Sequence, residues 1–144
     1  MLTIIKKKYE VEEDIQLLNE NNEELFTFKM QLTSEELKQL EDAMFNKDTI
    51  KIANKIKSFE NKELSDEEQE NILNLAEEMN NKAEALIEKL CFKENKDKFI
   101  ELGGEAKFYE MKEVISDYLT NFFMKKRIAR TNTINSDLAK ITKN

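Results

Sequence analysis

The sequence predicts an α+β fold: a small N-terminal antiparallel β-sheet, made of a hairpin plus one strand, followed by a mainly helical bundle. Three observations carry this. Residues 3–32 alternate apolar and polar side chains with the period of two that strands require. From Thr33-Ser34-Glu35-Glu36 onward the apolar residues recur at helical spacing almost to the end. Pro is absent and Gly occurs only at Gly103 and Gly104, so no Pro- or Gly-rich linker divides the chain. A single α+β domain over 1–130 follows, with its β element at 2–32 and helices over 34–130. Residues 131–144 are expected to form a flexible C-terminal tail.

Leu2, Ile4 and Tyr9, with Ile5 and Val11, predict a first strand over 2–11. Ile15 and Leu17 begin a second, and Asn19-Glu20-Asn21-Asn22 is a turn cluster, because Asn tolerates positive φ. Phe26, Phe28, Met30 and Leu32 share one face of the clearest strand. A hairpin alone is marginal in water, so this sheet must pack on the helices or on a partner. Thr33 and Glu36 fit a capping box, and Leu37, Leu40, Met44 and Phe45 follow at helical spacing. A second helix is expected to carry Ile50, Ala53, Ile56 and Phe59. Ser65-Asp66-Glu67-Glu68 repeats the capping pattern and opens the longest expected helix. Its apolar stripe is Ile72, Leu75, Ala76, Met79, Ala83, Leu86, Ile87 and Leu90. Lys93 to Lys98 is a polar break, and Gly103 is the expected C′ residue of a short turn through Phe99, Ile100 and Leu102. The last helix carries Phe108, Met111, Ile115, Leu119, Phe122 and Phe123 and ends in Lys125-Lys126-Arg127, where positive charge suits the helix dipole.

The net charge of −7 makes the whole molecule a poor ligand for nucleic acid, whose binding rests on neutralising phosphates. The charge is uneven. Residues 10–24 hold Glu10, Glu12, Glu13, Asp14, Glu20, Glu23 and Glu24 and no Lys or Arg. Lys125, Lys126, Arg127, Arg130, Lys140 and Lys143 crowd the other end. The single Cys91 allows no internal disulfide, fits a reducing compartment and, between Leu90 and Phe92, is expected to be packed. No apolar run approaches the ~20 residues of a membrane span, and no segment resembles a signal peptide. A cytoplasmic protein is expected.

No His is present, which removes the commonest general base and most zinc sites. Paired carboxylates such as Glu35-Glu36, Glu67-Glu68 and Glu77-Glu78 are adjacent in sequence, so on a helix they do not face each other. Charged helix faces account for them. No glycine-rich loop is available for phosphates, and none of these residues calls for a cofactor or metal. The chain is expected not to be an enzyme.

Two features remain as candidates for recognition. The face of Phe26, Phe28 and Met30 either packs on the helices or borders a sheet edge that adds a strand to a partner. Lys125, Lys126, Arg127 and Arg130 either complement the helix end or engage an acidic surface.

The Tyr9-Glu10-Val11 strand, the run from Glu24 through Leu25-Phe26-Thr27-Phe28-Lys29-Met30-Gln31-Leu32 to Thr33, and the late Phe123-Met124-Lys125-Lys126-Arg127 with Ser136-Asp137-Leu138-Ala139-Lys140 look like small tailed-phage and prophage proteins of low-GC bacteria. The chain resembles the tail assembly chaperones of their siphophages in size, acidity and order of elements. The resemblance implies a non-enzymatic chaperone in the host cytoplasm that binds the tail tube or tape measure protein before tail polymerisation. Phe26, Phe28 and Met30 would make the contact and Lys125, Lys126, Arg127 and Arg130 would steer it. Two other classes stay open: an acidic phage-encoded inhibitor of a host nucleic-acid enzyme, and a structural virion subunit that forms homo-oligomers.

Overall fold

The computed structural model describes residues 1–45, 51, 54–55, 57 and 65–142, with side chains up to Thr131. It divides into two compact units, Met1–Lys112 and Glu113–Asn144. The first holds strands β1 (Val11–Leu18) and β2 (Glu24–Leu32) and helices α1 (Ser34–Met44) and α2 (Asp66–Ile87). A π-helical turn (Glu88–Phe92) and a 3-10 turn (Lys93–Asn95) then lead into α3 (Lys96–Thr142). The expected helix with Ile50, Ala53, Ile56 and Phe59 lies outside the described residues.

The strands form an antiparallel hairpin in which Val11 faces Leu32, Ile15 faces Phe28 and Leu17 faces Phe26. Leu17 pairs with Phe26 but Leu18 with Glu24, so Leu25 is the extra residue of a bulge. The turn is built as its asparagines require. The Asn19 Oδ1 accepts the N–H groups of Asn21 and Glu23, each at 2.9 Å, and Asn22 takes φ 61°. Val11, Leu17, Phe28, Met30 and Leu32 are buried on one face. Glu12, Asp14 and Gln16 lie opposite Gln31, Lys29 and Thr27 on the other.

The strand expected over 2–11 does not form: the sheet has two strands among the described residues, and β1 begins at Val11. A strand needs a neighbouring ladder, and no described backbone group bonds Met1–Lys8. Three consecutive lysines, Lys6-Lys7-Lys8, also break the alternation that would bury one face.

α1 starts where expected. The Thr33 hydroxyl accepts the Glu36 N–H at 3.2 Å, and the Glu36 carboxylate accepts the Thr33 N–H at 3.0 Å. Its buried residues are Leu37 and Leu40, and the helix contacts β2 and α2. The Ser65 hydroxyl caps α2 by accepting the Glu68 N–H at 3.2 Å. The expected stripe along α2 is buried only at its far end, at Ile87. Leu75 is exposed and Ile72, Ala76, Met79, Ala83 and Leu86 are half-buried.

In the π turn Leu90, Cys91 and Phe92 are all buried. Successive side chains of a helix point in different directions, so three buried in a row mean that the turn is enclosed over a wide arc, with Lys89 on its exposed side. Lys93 ends it with φ 51°, ψ −124°, a conformation that costs a non-glycine residue energy. Its ammonium holds the position, lying 3.3 Å from the Glu36 carboxylate and donating to the Gln31 carbonyl at 3.1 Å.

α3 is broken at Gly104 (φ 86°, ψ 165°), one residue beyond the expected Gly103. Gly103 serves a different need: a methyl group there would sit 2.8 Å from Leu17 Cδ2, so the helix approaches the sheet through its bare backbone.

The second unit is the continuation of α3, in which Ile115, Leu119 and Phe123 are buried at a spacing of four. The break expected at Thr131-Asn132-Thr133 is absent and the backbone stays helical to Thr142. The Thr131 hydroxyl donates to the Arg127 carbonyl at 3.0 Å, a bond to the preceding turn that lets a helix absorb threonine.

Candidate partner-binding surface

The expected contact face of the sheet is mostly the inside of the first unit. The Phe28 ring lies 5.5 Å from Phe92 and edge-on to Phe99 at 6.4 Å, and Phe92 meets Phe108 at 4.7 Å. Phe28 and Met30 are buried there, so of the two readings of this face they take the packing one. Phe26 is half-buried, 5.7 Å from the Phe28 ring and beneath the Lys98 ammonium. It is the member of the trio that keeps solvent-facing surface.

Lys125, Lys126, Arg127 and Arg130 are exposed on α3 in the second unit, with the Lys126 ammonium 5.2 Å from the Phe122 ring. Phe123 is buried and Phe122 half-buried, with their ring centres 5.6 Å apart.

The backbone edges of the sheet differ. β2 packs on α1 and the π turn, and Lys93 occupies its Gln31 carbonyl. Beyond β1 no further strand is paired among the described residues. Ahead of β1 in the chain, Met1, Leu2, Ile4 and Ile5 are exposed, the last three at 103%, 96% and 85% of their full surface. Sequence alternation assigns Leu2, Ile4 and Ile5 to a strand; that no described strand pairs with them is visible only in the fold.

A second feature is hidden from sequence reading. Glu88 binds Lys112 at 2.9 Å and Lys96 at 3.1 Å, and Lys112 also lies 4.9 Å from the Phe108 ring centre. With Ile100, Glu105, Ala106 and Tyr109 these groups line an open depression of about 490 Å³. Glu88 is matched there by the two lysines, and the cluster clamps the π turn to α3. Burial works to raise the Glu88 carboxyl, but the two ammonium groups outweigh it and hold it below its ordinary 4.5. At Glu36 burial is likewise outweighed, by the Thr33 N–H and Lys93.

Both carboxyls are depressed in the folded state, so they stabilise it above pH 4.5, and this contribution is lost as pH falls through the lowered values. Urea unfolding followed from pH 6 downward is expected to show a loss of stability below that point. In Glu36→Gln/Glu88→Gln the stability at pH 6 is lower and the acid slope shallower.

Cys91 is buried, and burial together with the nearby Glu36 carboxylate pushes its thiol up to about 12. Native protein is therefore expected to resist iodoacetamide at neutral pH and to react within minutes in urea, as read by intact mass. Rapid labelling without denaturant would contradict the packing.

Among the described residues no three Cys, Asp or Glu side chains converge as metal ligands, and no helix is long and apolar enough to cross a membrane. No protein-family model, curated protein or solved structure matches the chain.

Proposed function

We propose that this protein is a non-enzymatic tail assembly chaperone that binds the tail tube or tape measure protein in the host cytoplasm before tail polymerisation. The observation that supports this reading is the two-stranded sheet, with a β1 edge that no other described strand covers. An unpaired edge offers a row of backbone donors and acceptors, onto which an unassembled subunit can lay a strand. Phe26, half-buried on β2, supplies apolar contact. Lys125, Lys126, Arg127 and Arg130 supply positive charge that speeds encounter with an acidic subunit. Displacement follows when subunit–subunit pairing in the growing tail outcompetes the chaperone.

The inhibitor reading requires a continuous acidic surface that imitates phosphates. The sheet's outer face is mixed instead, with Asp14 opposite Lys29 and Glu12 bonded by the Gln31 amide at 3.3 Å.

Co-expression of the intact chain with tube or tape measure protein, followed by affinity capture, tests the proposal. A stoichiometric complex that keeps the subunit soluble supports it, and that complex weakens in Phe26→Asp. Recovery of neither protein with the intact chain rejects it.

A further inference from the structure

We propose that Leu2–Lys8 is a strand donated to the β1 edge of a second copy of this chain. The segment has the composition of a strand, with β-branched Ile4 and Ile5 beside Leu2 and Thr3, yet its apolar side chains are almost fully exposed. No described backbone group pairs with it. The β1 edge has the opposite deficit, a strand with no described neighbour on its outer side.

Charge selects which strand can fill that edge. Glu12, Glu13 and Asp14 lie within β1, and residues 10–24 contain no Lys or Arg. Such charges discourage indiscriminate pairing with neutral or acidic strands. Lys6, Lys7 and Lys8 reverse the sign, so this segment is matched to that edge, and an unassembled subunit takes the same edge only by displacing it. Length also agrees. At ~3.3 Å per residue, Leu2–Lys8 extends about 23 Å and the eight residues of β1 about 26 Å.

The pairing must be between copies. To reach its own β1 edge the segment would have to reverse within Tyr9-Glu10. Tight hairpin turns need residues at positive φ, and the described non-glycine residues with positive φ are Asn22 and Lys93. Glu10 instead donates its N–H to the Leu32 carbonyl at 2.9 Å, so the chain there is already committed to β2. In a two-fold pair each copy donates one strand and receives one, which closes the assembly.

Analytical ultracentrifugation of the intact chain over a range of concentrations at low and high salt tests this. The expected particle has twice the 17.0 kDa chain mass and dissociates more readily in high salt. Lys6→Glu/Lys7→Glu/Lys8→Glu is expected to be monomeric. So is Glu12→Lys/Asp14→Lys/Lys29→Glu, which keeps opposite charges across from position 14. An equimolar mixture of the two restores the dimer, because each donated strand then meets an edge of opposite sign. Leu2→Asp/Ile4→Asp, at two exposed positions, gives a folded monomer with unchanged thermal unfolding at dilution. A wild-type monomer at every concentration overturns the proposal. So does a dimer that survives Leu2→Asp/Ile4→Asp, or a mixture of the two charge variants that stays monomeric.

Discussion

Phe92→Ala is expected to destabilise the first unit by about 3–5 kcal/mol, the range for deleting a buried ring from a close-packed core. Phe92 is fully buried at the centre of the aromatic cluster, with ring centres 5.5 Å from Phe28, 5.7 Å from Phe99 and 4.7 Å from Phe108. Its removal takes away transfer free energy and leaves a cavity that three rigid rings cannot collapse to fill. The π turn suffers too, because Phe92 is one of the three side chains that anchor it. Domains of this size are held by about 5–15 kcal/mol, so the variant loses a large share of its stability. Urea unfolding monitored by circular dichroism reads this as a lower midpoint. Phe92→Leu, which keeps most of the volume, is expected to cost less than half as much. Leu73→Ala, at an exposed position of α2, should stay within about 0.5 kcal/mol of wild type. A midpoint for Phe92→Ala close to that of Leu73→Ala would mean that the ring cluster does not hold the fold.

Phe92 illustrates what local sequence patterns reveal and what they hide. The period-two run from Leu25 to Leu32 and the Thr33–Glu36 box are signals within a few residues, and both elements form where those signals lie. Leu90-Cys91-Phe92 carries no such period. Its burial arises because the chain leaves the regular helix for a π turn, and α3 then brings Phe99 and Phe108 to the same place. The segment 2–11 departs in the opposite way. Its residues favour a strand, but a strand also needs a neighbour, and local preference cannot say whether one exists. α2 shows the same limit: its apolar period is genuine, yet Leu75 remains exposed because a stripe does not specify the surface that covers it.

The candidate surface is legible to a similar degree. Alternation places Phe26, Phe28 and Met30 on one face, and the choice between core and contact needs the packing itself. Lys96 and Lys112 meet Glu88 from 8 and 24 residues away, beyond the reach of any helical spacing rule. In the sequence Lys93 is only part of a polar break. Its unusual backbone and its bonds to Glu36 and Gln31 make it a tie between the sheet, α1 and the π turn. A lysine that ends an apolar run, where a glycine is the common choice, is the one available signal.

Gly104→Ala is expected to cost about 1–3 kcal/mol, the penalty for placing an L-residue in a region of backbone space that is nearly reserved for glycine. Gly104 has φ 86° and ψ 165°, and nothing lies within 4 Å of the position a Cβ would take. The cost is therefore one of backbone strain with no steric contribution from neighbours. Gly103→Ala makes the contrast. Its backbone is helical, so alanine gains about 1 kcal/mol of helix propensity, while its methyl must displace the Leu17 side chain from 2.8 Å. Those effects oppose each other, and the net change is expected to stay within about 1 kcal/mol. If Gly103 were the residue that ends the helix, as its place in the sequence suggests, the order of the two variants would be reversed. Semisynthetic replacement of Gly104 by D-alanine separates strain from lost flexibility. A D-residue adopts this geometry as readily as an L-residue adopts an extended strand, and it restricts the unfolded chain. Urea midpoints are then expected to rank the D-alanine protein at or above wild type and Gly104→Ala well below it. Equal destabilisation by both enantiomers would rule out the backbone conformation as the reason for glycine at this break.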